Sequence, residues 1–191
     1  MDLGKTLYVT NRRDWRSWLK KNHAKEKVIW LIFYKKASGK LRIPYNDAVE
    51  EALCFGWIDS TVKPIDKDSF AQRFTPRRRD SVLSQANRER VREMIAKKKM
   101  TKAGLDAIAH AFDPDKDNPD KFRIAPDILR ALKKDKETWE KFQKLPRRYQ
   151  RTRIGYLESR RRHGKEQFEK SLANLIKMTA KNKKFGLAII I

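Results

Sequence analysis

Cysteine is almost missing from this sequence, and its scarcity removes several architectures at once. Cys54 stands alone among 191 residues, so the chain can close no intramolecular disulfide. With no second cysteine or histidine near it in sequence, Cys54 has no metal or nucleophile company, and it reads as a small buried hydrophobe. Histidine is nearly as scarce: His23, His110 and His163 are far apart and fall in different predicted helices. There is no Gly/Ser-rich spacer and no internal repeat. No run of 18 apolar residues is available to span a bilayer. The opening "MDLGKTLYVT" lacks the basic start and apolar core of an export signal, which sets a cytoplasmic location as the expectation. The tail "FGLAIII" is too short to cross a membrane and reads as a final strand. Gly-rich phosphate loops, HExxH helices, CxxC pairs and GxSxG elbows are all absent. No catalytic residue, metal or cofactor is therefore assigned, and the chain is read as leaning away from an enzyme.

What the chain has in excess is positive charge. Forty-seven lysines and arginines against 24 acids give a net charge of +23, spread along the chain with a C-terminal bias. Hydrophobic residues at 39% and charged residues at 37% describe a folded but strongly ionic protein. Such a field attracts an anionic partner, nucleic acid or acidic protein, with an affinity that falls steeply with salt. The same charge also suits a lysine- and arginine-rich surface adaptation with no partner.

Periodicity supplies the elements. "KTLYV" reads as a short strand, and "TNRRDWRSWLKKN" as a helix capped near Asn11 with Trp15, Trp18 and Leu19 on one face. "KVIWLIFYKK" suits the middle of a sheet. "IPYNDAVEEALCFGW" is a helix opened by a proline and stopped at Gly56. Trp57 to Val62 and "FAQRFT" form a hairpin, its second strand ended by Pro76. "SQANRERVREMIA" is a helix capped by Ser84. In "TKAGLDAIAHAF", Thr101 is the cap, Met100 and Leu105 form a hydrophobic staple, and Leu105, Ile108, Ala109 and Phe112 share a face. "DPDKDNPDK" is an acidic linker; it imitates a calcium loop at Asp113, Asp115 and Asp117, but Asn118 replaces the glycine and Ile124 the bidentate glutamate. Four helices follow. The expected fold is α+β: a small mixed β-sheet with packed helices, then an all-helical C-terminal subdomain. The expected organisation is a core domain over 1–112, the linker over 113–121 and a helical region over 122–191.

Three stretches, "YNDAVEEALCFGWIDSTVKPID", "RFTPRRRDSVLSQANRERV" and "KMTKAGLDAI", together resemble the YdeI/OmpD-associated, or bacteriocin-protection, family over residues 44–112. The start of the chain and "LPRRYQRTRIGYLES" fit that pattern more loosely. Leu83 stands where the pattern has a tryptophan, and "RRRHGKEQFEKSL" replaces a basic C-terminal motif. The resemblance implies a bacterial or archaeal cytosolic protein associated with protection against bacteriocins or with envelope stress. It brings no catalytic residues with it.

Two groups of residues are the functional candidates. Trp57 and Asp59 alternate onto one face of the hairpin, Arg73 on the second strand can lie opposite, and Asn87 opens the next helix, so these four frame a small polar cleft, and the alternative function is a small-ligand-binding protein or enzyme that uses Trp57, Asp59 and Arg73. An Asp–Arg pair that merely braces the hairpin accounts for the same residues. The second group is basic: Arg77, Arg78 and Arg79 in one loop, Arg88 close by, and Arg148, Arg151 and Arg162 along the C-terminal helical region. Arginine suits bidentate contact with phosphate or carboxylate. Aromatic residues interleaved with these cations are scarce, so backbone contact without base readout is the form of nucleic-acid binding expected.

Overall fold

The computed structural model describes residues 3–186, so the expected final strand in "FGLAIII" lies outside the described residues beyond Gly186. The described chain divides into two compact units, one made of residues up to Val82 with Val91–Ala111, the other of Leu83–Arg90 with the residues from Phe112 onward.

The first unit is a four-stranded mixed sheet, β1 (Thr6–Leu7), β2 (Ile29–Tyr34), β3 (Trp57–Pro64) and β4 (Ser69–Pro76), in the order β1-β2-β4-β3. β1 runs parallel to β2, and the other pairings are antiparallel. The continuous apolar run of β2 is interior, as a strand covered on both faces requires. β3 carries one residue more than β4 between the pairs Asp59–Phe74 and Val62–Gln72, a β-bulge. The Gln72 side-chain amide donates to the Ser60 carbonyl there at 3.0 Å.

α1 (Arg12–Asn22) and α2 (Tyr45–Cys54) carry the apolar side chains that meet the sheet. Asn11 caps α1 by accepting from the Asp14 amide at 3.0 Å. Trp15 and Leu19 are fully buried, and Trp15 stacks on Trp18 and meets Phe74 edge-on. The core is Trp15, Leu19, Ile29, Leu31, Phe33, Val49, Leu53, Trp57 and Phe74 with their neighbours. Gly56, at φ +77°, turns the chain from α2 into β3 in a conformation other residues resist.

Charge also enters this interior. Arg12 binds Asp47 at 3.2 Å, Glu50 at 2.6 Å and Glu51 at 2.5 Å; Arg16 binds the other Glu51 oxygen at 2.5 Å and the Lys99 carbonyl at 2.9 Å. Burial alone pulls the Arg12 guanidinium down, but the hydrogen bonds it donates to Glu51 and Glu50 outweigh it and hold Arg12 above its ordinary value. Glu50 and Glu51 are 3% and 1% exposed. Their burial is tolerable only with such partners.

α3 (Gln85–Ala96) begins at Ser84, whose hydroxyl accepts from the Asn87 amide at 3.3 Å. α4 (Lys102–Ile108) is capped as expected by Thr101, which accepts from the Gly104 amide at 3.2 Å. The apolar face expected on α4 differs. Leu105 is 39% exposed, whereas Gly104 and Ile108 are buried. The Thr101 amide and hydroxyl both donate to the Cys54 carbonyl, at 3.0 and 2.6 Å, and bring α4 so close that only glycine fits at 104.

The second unit contains α5 (Pro126–Lys133), α6 (Lys136–Lys144), α7 (Arg147–Arg160) and α8 (Lys165–Ala180) around Ile128, Leu132, Phe142, Ile154, Leu157 and Leu175. Pro126 occupies the first turn of α5, and Asp135 caps α6 through the Thr138 amide at 2.8 Å. The acidic segment after Phe112 is tied in place, with Asp117 paired to Arg88 and accepting from the Asp113 amide. The fold is α+β, a small mixed sheet with packed helices followed by a helical C-terminal part. Among the described residues no helix is long and apolar enough to cross a membrane, and no three His, Cys, Asp or Glu side chains gather as a metal site would require.

Candidate anion-binding site

The hairpin residues separate by sheet face. Cross-strand partners share a face. Asp59 is opposite Phe74, whereas Arg73 is opposite Trp30, one residue out of step and therefore on the other face. Trp57 and Asp59 do share a face, but Trp57 is 1% exposed, with its indole N–H on the His23 carbonyl at 3.1 Å and its ring edge-on to Trp18. Asp59 accepts from the Tyr45 hydroxyl at 2.6 Å. The arginine that feels its charge is Arg77: burial pushes that guanidinium down and Asp59 partly restores it. Asn87 belongs to the second unit, where its side-chain oxygen accepts from Arg90 at 2.8 Å.

The arginine loop also divides. Arg77 is 9% exposed and donates to the Val82 carbonyl at 3.0 Å, with Nε and Nη1 buried and without acceptors. Arg78 and Arg79 are exposed. Of the other basic candidates, Arg88 is paired with Asp117, and Arg151 holds Glu89 by two parallel bonds of 2.7 and 2.8 Å. Those bonds raise the Arg151 guanidinium above its ordinary value, and the Gln85 amide reaches the same carboxylate at 2.8 Å. Arg148 is half-buried at the start of α7, and Arg162 is exposed beyond its end.

The second unit also holds a cleft of about 530 Å³, between the segment before α5, α5 itself, α6 and the start of α7. Exposed Arg123, Lys133 and Arg147 line it together with half-buried Phe122 and Trp139. The Lys133 ammonium stands 5.3 Å from the centre of the Trp139 ring, and Trp139 stacks on Phe142. Asp120 is the one carboxylate among the lining residues. The sequence separates Phe122 from Trp139 by a helix and a turn, so no linear pattern announces that the rings and the cations meet. Such a site can neutralise an anion and offer ring faces to whatever carries it.

Two families match separate segments of the chain. Residues 7–107, more than half of the chain, match a family described as a domain of unknown function (DUF8412). Residues 121–182 match the family described as bacteriocin-protection, YdeI or OmpD-associated. The family expected from the sequence is therefore present, on the helical segment rather than on the stretches at 44–112 that suggested it. No curated protein and no solved structure matches the chain. The match over 121–182, which includes most of the cleft, supports a role related to bacteriocin protection. The chain belongs to the DUF8412 family through residues 7–107 and carries a YdeI/OmpD-associated, bacteriocin-protection domain at residues 121–182.

Proposed function

We propose that the protein is a non-catalytic bacteriocin-protection or stress-associated protein that works in the cytoplasm by binding an anionic partner, nucleic acid or acidic protein, through the basic and aromatic cleft of its second unit. The observation that carries this reading is the meeting of exposed Arg123, Lys133 and Arg147 with Phe122 and Trp139 inside the segment that matches the bacteriocin-protection family. Arg78 and Arg79 add an exposed basic pair on the first unit. The net charge of +23 supplies the long-range attraction.

The test is a titration against labelled single- and double-stranded DNA, RNA and polyglutamate at several salt concentrations. Each phosphate neutralised adds nearly one to the salt slope, so binding is expected to weaken steeply with salt. Changing Arg123, Lys133 and Arg147 together to serine is expected to cost about tenfold or more and to flatten the slope by roughly two to three. Preference for nucleic acid over polyglutamate, or the reverse, assigns the partner class. A flat slope for the parent, or an unaltered curve for the triple variant, defeats the proposal.

A further inference from the structure

A second cleft in the same unit has a different chemistry. It encloses about 540 Å³ between the first residues of α3, α7, α8 and the residues Phe185 and Gly186. Gly155 lets α7 lie directly against Gln85, whose Cγ would be 2.8 Å from any Cβ added there. One wall is the Phe185 ring, and the Phe185 amide is held by the Tyr149 hydroxyl at 3.1 Å. Arg153 stands in the wall at 6% exposure.

Arg153 differs from two other arginines of the chain. Arg12 and Arg151, with comparable demands, reach Glu50, Glu51 and Glu89. Among the described residues no carboxylate pairs with Arg153, and its Nε is buried without an acceptor. The adjacent Thr152, also in the lining, has its hydroxyl buried and equally unpartnered. The guanidinium lies 3.8 Å from the centre of the Phe185 ring and 5.0 Å from that of Tyr156. Ring faces offset part of the desolvation of a cation but accept none of its N–H groups in the plane. Burial pushes the Arg153 guanidinium down, yet arginine keeps its proton in proteins, so the charge stays. A desolvated cation and an unsatisfied hydroxyl in the lining of one mainly apolar cleft, large enough for a small molecule, are the makings of a ligand site.

We propose that this cleft binds a small carboxylate with an apolar or aromatic body, its carboxyl group on Arg153 and Thr152 and its body along Phe185 and Tyr156. The carboxylate supplies the acceptor that the Arg153 Nε lacks, and it does so in the planar, forked geometry that arginine favours. This inference concerns a different cleft from the one proposed above and stands without it.

The test uses the full chain and three probes, 4-phenylbutyrate, octanoate and the neutral 4-phenylbutanol, followed by calorimetry and thermal shift. At least one acid is expected to bind at one site more tightly than about 1 mM, and the alcohol at least about tenfold more weakly than its acid, the loss of one charge-assisted contact. Arg153→Met keeps the volume beside Phe185 and Tyr156 and is expected to abolish the preference for the acid. Its melting temperature without ligand verifies that it folds, and Arg153→Lys is expected to restore part of the preference. The serine variant at Arg123, Lys133 and Arg147 is expected to bind the acids as the parent does, which separates the two clefts. Failure of both acids to bind, equal affinity for acid and alcohol, or an unchanged preference in Arg153→Met overturns the proposal.

Discussion

Removing Glu89 tests whether Arg151 serves a partner or the fold. The pair is largely desolvated, with side-chain exposures of 16% for Arg151 and 4% for Glu89 and two parallel bonds of 2.7 and 2.8 Å. Opposite unit charges about 4 Å apart attract by about 4 kcal/mol at an effective dielectric of about 20. Much of that is offset by the water both groups give up, so the pair contributes little against an apolar replacement. Breaking it from one side is costly, because the survivor stays buried without compensation, and losses of about 3–5 kcal/mol follow. Arg151 cannot discharge itself, whereas Glu89 keeps the Gln85 amide and can take up a proton. Glu89→Ala is therefore expected to cost about 3 kcal/mol and Arg151→Met somewhat less. At roughly 2–4 °C per kcal/mol for a chain of this size, thermal unfolding followed by circular dichroism should shift by about 6–12 °C for Glu89→Ala. The double replacement by methionines should recover most of the loss. A shift within about 1 °C for both single variants, together with lost anion binding in Arg151→Met, refutes the reasoning and returns Arg151 to the partner site.

Three further outcomes follow from local geometry. Gly104→Ala puts a Cβ 2.6 Å from the Cys54 carbonyl carbon and is expected to destabilise by about 3 kcal/mol through overpacking; a melting temperature equal to the parent's would show that α4 does not need that approach. Burial and the neighbouring Glu51 charge push the Cys54 thiol up to about 11, so it should stay unmodified by an aromatic disulfide reagent at pH 8 and react stoichiometrically in guanidinium; modification of the native protein contradicts this. Arg161 hydrogen bonds hold the Asp127 carboxyl below its ordinary value, so its contribution is present above about pH 3.9 and lost as pH falls through the folded value. The destabilisation caused by Asp127→Asn should accordingly disappear in melts at acid pH, and a constant difference across pH would reject the linkage.

The strands and helices were legible because their signals are local. Asn11, Thr101 and Asp135 cap the helices their chemistry announces, and Pro76 closes β4. The faces were less legible where a tertiary approach overrode periodicity. Leu105 matches a buried stripe, but the carbonyl at Cys54 makes Gly104 the contact. Of the site residues, Trp57 and Asp59 were placed together by alternation, and the register that puts Arg73 on the other face depends on pairing, which a single strand does not encode. Arg77, Arg78 and Arg79 are identical in type, and only the path of the loop separates the buried one from the exposed two. The basic and aromatic cleft joins residues from several helices, so it has no linear motif to read.

The two edges of the sheet bear on how any partner is met. β1 has two residues, and β3 carries a bulge between Asp59 and Val62 and ends in Pro64. An incoming strand needs a long, flat row of free amides and carbonyls, which a bulge, a proline and a two-residue strand each interrupt. Growth of the sheet by a guest strand, or by a second copy laid edge to edge, finds no template on either side. Contacts of the described sheet with other molecules are thereby left to side chains.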